Sequence, residues 1–113
     1  MIKENFAELI LKSQYSRFLD EYEKEGIHFW GITTGNEPVN GILPVNKFNS
    51  MGWTPGTQRL WIKEYLGPAL KKFHPHVLLI ALDDQRFMLP WWIDIVSHTI
   101  DVYVEHAHIL ITI

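Results

Sequence analysis

Cysteine is absent from this sequence of 113 residues. The chain therefore has no disulfide framework and no thiolate ligand for a metal ion. Histidines occur two residues apart at His74 and His76 and again at His106 and His108. Two histidines at this spacing can begin a zinc site, but no third ligand follows at a convincing spacing. We therefore expect neither a bound metal nor another cofactor.

Long apolar runs and an excess of positive charge are also lacking. No run approaches the roughly 18 residues of a membrane span. The start, MIKENFAELILKSQ, lacks the basic and apolar regions of a signal peptide. Ten Lys and Arg against 13 Asp and Glu leave a net charge of −3, with no basic face for nucleic acid. The 47% hydrophobic content predicts one small folded domain or part of a larger one.

The first two thirds of the sequence predict two helices and a strand. Apolar residues recur every three or four positions from Asn5 to Lys24, which indicates an amphipathic helix that ends at Gly26. The β-branched and aromatic segment 28–34 predicts a buried strand. After a long loop at 35–53, Thr54 and Pro55 provide an N-cap and a first-turn proline for a helix over 58–73. Gly67 and Pro68 predict a kink or an early stop in that helix.

The remaining sequence predicts a second and a third strand with a helix between them. Residues 76–86 form a continuous apolar run followed by polar residues, which is typical of a strand buried in a parallel sheet. A helix over 87–98, entered through Pro90, and a strand over 102–113 follow. The order α-β-α-β-α-β predicts an α/β fold with parallel strands.

Polar residues follow the first two predicted strands directly. Ligands and catalytic groups collect at the carboxyl ends of parallel strands, and this rule selects Asn36, Glu37 and segment 83–86. Glu37 is either a surface-loop carboxylate or a general acid. A partly desolvated carboxyl group keeps its proton to higher pH, as a general acid requires. Pro38 predicts an extended backbone at Glu37, which would help to fix the carboxyl group.

The neighbours of Glu37 have both structural and functional readings. Asn36 is a turn former or holds a substrate hydroxyl group beside the acid. In segment 83–86 we assign structural roles to the two Asp residues and Arg86, such as capping the next helix. Gln85 is the residue of this segment that we expect to project into a cleft.

Three stretches of the sequence resemble the glucosylceramidases of glycoside hydrolase family 30, and the segment TTGNEP resembles insect members. The stretches are RFLDEYEKEGIHFWGITTGNEPVNGILPVNKFNSMGWTP, LGPAL and LLIALDDQRFMLPWW. They stand in the order and spacing of that family over residues 17–103, whereas residues 105–113 diverge from it. GNEP alone is a weak signal, but the combination is specific.

The resemblance implies part of a TIM (β/α)8 barrel that hydrolyses the β-glucosidic bond of glucosylceramide with retention of configuration. By this resemblance Glu37 is the general acid/base after the fourth barrel strand, and Asn36 contacts the sugar. Gln85 lies near the pocket after the fifth strand, and Phe48 belongs to a loop at its mouth. Family members are lysosomal or secreted, and a small saposin-like activator protein assists them at a lipid surface.

The resemblance also implies that residues 1–113 form one partial domain of about three βα units, around strands four to six. A complete barrel takes roughly 250 residues. The family's nucleophilic glutamate follows the seventh strand, and we expect it to be absent from these 113 residues. An alternative is a noncatalytic fragment or pseudo-enzyme that binds glycolipid or a partner chain through exposed barrel edges.

Overall fold

The computed structural model of the chain describes residues 6–43, 51–98, 101–105 and 108–112. The first element is helix α1, Phe6–Lys24, as the periodicity predicted. It ends as expected at Gly26, which has a φ of +79°. The N–H groups of Gly26 and Ile27 donate to the carbonyl groups of Glu23 and Tyr22, and these two bonds close the last turn of the helix.

The second helical region is longer and more continuous than the sequence predicted. It begins with α2, Pro55–Trp61, where the Thr54 hydroxyl group accepts a hydrogen bond from the Thr57 N–H group at 3.1 Å. A π-helical turn, Ile62–Leu66, then leads directly into α3, Gly67–Phe73. The early stop predicted at Gly67 and Pro68 is wrong, because the helical segment continues through Pro68 to Phe73.

Two short parallel strands form one side of the sheet. Strand β1 is Gly31–Thr33 and strand β2 is Leu78–Ala81, so both are shorter than predicted. Gly31 pairs with Leu78 and Thr33 with Ile80. This pairing confirms the predicted parallel arrangement for the first two strands.

The predicted third parallel strand over 102–113 is wrong. The structure has two antiparallel strands in this region, β3, Asp101–Glu105, and β4, His108–Thr112. Strand β4 pairs antiparallel with β2, and the sheet order is β1-β2-β4-β3. Strands joined by a two-residue connection must run antiparallel. A single strand of 12 residues would also have been long, since most strands have about five or six.

A short 3₁₀ turn, Arg86–Met88, and helix α4, Leu89–Val96, connect β2 to this hairpin. The core lies between the helices and one face of the sheet. Its largest fully buried side chains are Trp61 and Trp92, and Trp61 stacks on Trp53 with ring centroids 4.9 Å apart. None of the helices in the described ranges is long and apolar enough to cross a membrane.

Candidate functional site

The carboxyl ends of β1 and β2 lie side by side because the two strands are parallel and in register. The polar residues that follow each strand therefore meet, although 48 positions separate Glu37 from Gln85 in the sequence. The backbone N–H group of Glu37 donates to the carbonyl oxygen of Asp83 at 2.9 Å. The main chain itself thus fixes Glu37 beside the end of β2.

The backbone at this edge of the sheet adopts an unusual conformation. Three non-glycine residues in the described ranges have positive φ angles: Glu37 at 45°, Leu82 at 73° and Asp83 at 48°. Each such residue costs on the order of 1–3 kcal/mol, and such residues cluster at functional sites. The extended backbone predicted for Glu37 is therefore wrong. The hydrogen bond from the Glu37 N–H group to the Asp83 carbonyl oxygen and the turn that follows hold Glu37 in the left-handed region instead.

The half-buried carboxylate of Glu37 has two amide donors. Oε1 accepts a hydrogen bond from Nε2 of Gln85 at 3.2 Å, and Oε2 accepts one from Nδ2 of Asn40 at 2.6 Å. Hydrogen bonds to a charged acceptor are stronger than bonds between neutral groups. The two donors hold the carboxyl group in one orientation while Gln85 stays exposed, so the group can exchange a proton with a ligand bound at this edge.

Asp84 organises the backbone around this pair. Its Oδ1 accepts from the N–H group of Gln85 at 2.7 Å, and its Oδ2 lies 3.4 Å from the N–H group of Val39. These contacts agree with the structural role that we predicted for the Asp residues. Asp84 thereby connects the loop after β1 to the loop after β2.

A buried chain of polar side chains supports the end of β1 from behind. Nε2 of Gln58 donates to the Thr34 hydroxyl group at 2.7 Å, and Nε1 of Trp92 donates to Oε1 of Gln58 at 2.6 Å. All three residues are 0% exposed. The sequence analysis missed this chain and the contact of Asn40. A glutamine on a buried helix face was a signal for the first, and the i+3 spacing from Glu37 was a signal for the second.

The loop that follows Glu37 is closed at its base. The N–H group of Trp53 donates to the carbonyl oxygen of Pro38 at 3.0 Å. Above this bond the backbones of Gly41 and Gly52 touch, since a Cβ atom on either residue would overlap backbone atoms of the other. Only glycine permits so close an approach of two main chains. The long loop predicted over 35–53 thus begins and ends at one place beside Glu37.

The other predicted site residues differ in how the structure places them. Asn36 is exposed next to Glu37. Phe48 lies outside the described residues. An apolar cavity of about 440 Å³ lies between α1 and β1, and its lining includes Tyr15, Phe18 and Phe29 but neither Glu37 nor Gln85. The carboxylate site and the apolar cavity are therefore separate features.

Comparison with known proteins relates this arrangement to a family. The glycosyl hydrolase family 30 TIM-barrel domain matches residues 4–109. The chain is 44% identical over 82 residues to "Lysosomal acid glucosylceramidase" of Mus musculus, which is 73% of this chain and 16% of the mouse protein. It is 46% identical over 86 residues to "Putative glucosylceramidase 2" of Caenorhabditis elegans, 74% of this chain and 17% of that protein. The chain spans about one sixth of the length of these relatives.

Proposed function

Because the chain belongs to the glycosyl hydrolase family 30 TIM-barrel domain family, we propose that it forms part of the catalytic barrel of a retaining glucosylceramidase. The observation that carries this proposal is the carboxylate of Glu37, which Gln85 and Asn40 hold at the paired carboxyl ends of two parallel strands. In barrel enzymes this is the end of the strands where catalysis takes place.

In the proposed reaction Glu37 is the general acid/base. It protonates the glycosidic oxygen as the bond to ceramide breaks, and it later accepts a proton from the water that releases glucose. Asn36 and Gln85 bind hydroxyl groups of the sugar, and Phe48 lines the mouth of the pocket. The two amide groups on Glu37 keep its carboxyl group aimed while it changes protonation state.

The reaction also needs a nucleophilic carboxylate about 5–5.5 Å from the acid/base. We propose that another strand of the complete barrel supplies it, from outside these 113 residues. Residues 1–113 then form one partial domain of the barrel, with β1 and β2 as strands four and five. The expected count of about three βα units, around strands four to six, requires that the segment of β3 and β4 forms a parallel strand in the complete barrel. The family domain matches as far as residue 109, and the divergence expected of residues 105–113 stays a prediction. The unpaired side of β1 and its apolar cavity support this placement, because a preceding strand and helix would cover both.

The substrate and the setting belong to the complete protein. We propose that it hydrolyses glucosylceramide or a related β-glucoside at a lipid surface, with help from a saposin-like activator protein. The mouse relative is named for the lysosome, and on that basis we propose a lysosomal or secreted parent protein.

A chimera tests the proposed function. Residues 17–98 of this chain replace the aligned segment of the mouse relative, and hydrolysis of glucosylceramide is measured. We expect turnover within about tenfold of the mouse protein, because the segment brings its own acid/base and supporting contacts. A chimera that unfolds at the same temperature as the mouse protein but does not hydrolyse the lipid would contradict the proposal.

The isolated 113-residue chain is the matched control for this experiment. We expect no hydrolysis of a fluorogenic β-glucoside, because the nucleophile that we propose as the partner of Glu37 lies outside these residues. If the isolated chain hydrolyses the substrate and Glu37→Gln stops it, the second carboxylate comes from within the chain, and Asp101 and Glu105 are the first to test. Binding of glycolipid without turnover by both proteins would favour the noncatalytic alternative.

Gln85 provides a more local prediction. In the chimera, Gln85→Ala is expected to lower kcat/KM roughly tenfold, since it removes one hydrogen bond to the Glu37 carboxylate and a proposed sugar contact. The exposed neighbour Arg86 provides the control, and Arg86→Ala should change kcat/KM less than twofold. Equal losses in the two variants would argue against a role for Gln85.

A further inference from the structure

A second polar cluster lies at the opposite ends of the same strands. Glu23, His28 and His76 each offer one ligand atom, and these three atoms all lie within 4.8 Å of one another. Glu23 is in the last turn of α1, His28 is in the connection to β1, and His76 is in the connection between α3 and β2. Three separate segments therefore converge at the amino ends of β1 and β2, away from Glu37.

The ligand types suit a zinc ion, and small side-chain rotations would bring the three atoms to the spacing of a zinc site. Imidazole nitrogen and carboxylate oxygen both bind Zn²⁺, at about 2.0–2.2 Å, and in a tetrahedral site such atoms lie roughly 3.3 Å apart. Nε2 of His76 lies 3.0 Å from Oε1 of Glu23. His28 and His76 are exposed, so a water molecule can occupy a fourth position.

A buried histidine supports the carboxylate of this cluster. Nδ1 of His74 lies 3.4 Å from the same Oε1 atom of Glu23, and Nε2 of His74 lies 3.2 Å from Oδ1 of Asp20. The His74 side chain is 1% exposed. Residues that contact a metal ligand and fix its orientation strengthen metal binding. His74 thus holds the Glu23 carboxylate in a position where Glu23, His28 and His76 can bind the same metal ion.

We propose that Glu23, His28 and His76 bind one Zn²⁺ ion, which connects the end of α1 to the amino ends of β1 and β2. The short distance between His76 and Glu23 also describes a plain ion pair. An ion pair needs only two of these residues, whereas zinc binding needs all three. The test is therefore built on His28, which a pair between His76 and Glu23 does not require.

Isothermal titration of the 113-residue chain with ZnCl₂ at pH 7.5 tests the site. We expect binding of one equivalent, and at least an approximately tenfold loss of affinity in each of His28→Gln, His76→Gln and Glu23→Gln. Residues outside a ligand set alone contribute about 10- to 100-fold to metal affinity, so a lost ligand should cost no less. Zinc should also raise the unfolding temperature of the wild-type chain but not of His28→Gln. MgCl₂, whose ion prefers oxygen ligands, should do neither.

Matched variants control for histidine and carboxylate content. His98→Gln and Glu25→Gln remove exposed groups that are not among the three proposed ligands, and they should leave zinc affinity unchanged. The double variant His106→Gln, His108→Gln should also bind zinc with unchanged affinity. If the isolated chain precipitates, the same titration compares the chimera with its His28→Gln variant. The proposal fails if the wild-type protein binds no zinc, if His28→Gln binds it equally well, or if the double variant loses it.

Discussion

Replacing Glu37 with glutamine in the chimera is expected to lower kcat for glucosylceramide by about 10²- to 10⁴-fold, the usual contribution of a general acid/base. Glutamine keeps the size of the side chain and can still form a hydrogen bond with an amide neighbour, but it cannot give a proton to the leaving oxygen. The unfolding temperature should change little, because Glu37 is half-buried and stays in the same turn. Steady-state kinetics and thermal unfolding measure the two effects.

The choice of leaving group in the substrate distinguishes loss of the general acid from general damage to the site. An aryl β-glucoside with an acidic phenol needs little protonation of its leaving group. Glu37→Gln should therefore slow glycosyl transfer to the enzyme much less with this substrate than with the lipid. The exposed Glu64 provides the control. A similar loss of kcat in Glu64→Gln, or none in Glu37→Gln, would refute the assigned role.

Trp92→Ala is expected to destabilise the 113-residue chain by about 3–5 kcal/mol, which is typical for removal of a buried aromatic side chain. Trp92 is 0% exposed, and its indole N–H group is the donor to Gln58 in the buried chain behind β1. The variant therefore leaves a cavity and also an acceptor without its donor. Chemical denaturation monitored by circular dichroism measures the change in the free energy of unfolding.

A pair of phenylalanine variants isolates the hydrogen bond. Trp61 and Trp92 are both 0% exposed, but the indole N–H group of Trp61 has no hydrogen-bond partner in the described structure. Trp92→Phe should therefore cost about 1–3 kcal/mol more than Trp61→Phe, because it alone leaves the buried Oε1 atom of Gln58 unsatisfied. Equal costs would mean that the polar chain contributes nothing beyond packing.

Much of the fold could be predicted because local patterns and tertiary packing agree in the first part of the chain. Helix α1 and its end at Gly26 followed from spacing and from the need for a positive φ angle. The parallel pairing of β1 and β2 also followed, because both segments are apolar in sequence and each is preceded by a helix. Parallel pairing then brings the segments that follow the strands to one edge, and this is why Glu37 and Gln85 could be selected together.

The features that the sequence did not predict depend on contacts between distant residues. The hairpin after residue 100 was missed because an apolar run gives no sign of where it reverses. The left-handed backbone at Glu37 depends on a hydrogen bond to Asp83, which no local rule contains. Nor could the proposed zinc ligands be found from the spacing of His74 and His76, because Glu23 and His28 lie in a distant part of the sequence. Spacing rules find ligands that lie near one another in the chain, and these do not.

The contact between Gly41 and Gly52 has a consequence for how substrate preference evolves. The two ends of the segment between Gly41 and Gly52 are fixed to each other. That segment can therefore change in length or composition without moving Glu37, which lies beside the point where the loop closes. Closing a loop of twice the length costs only about 0.6 kcal/mol more. Under the proposed function, the rim of the pocket can then differ between proteins that have this pair of glycines while Glu37 stays in place.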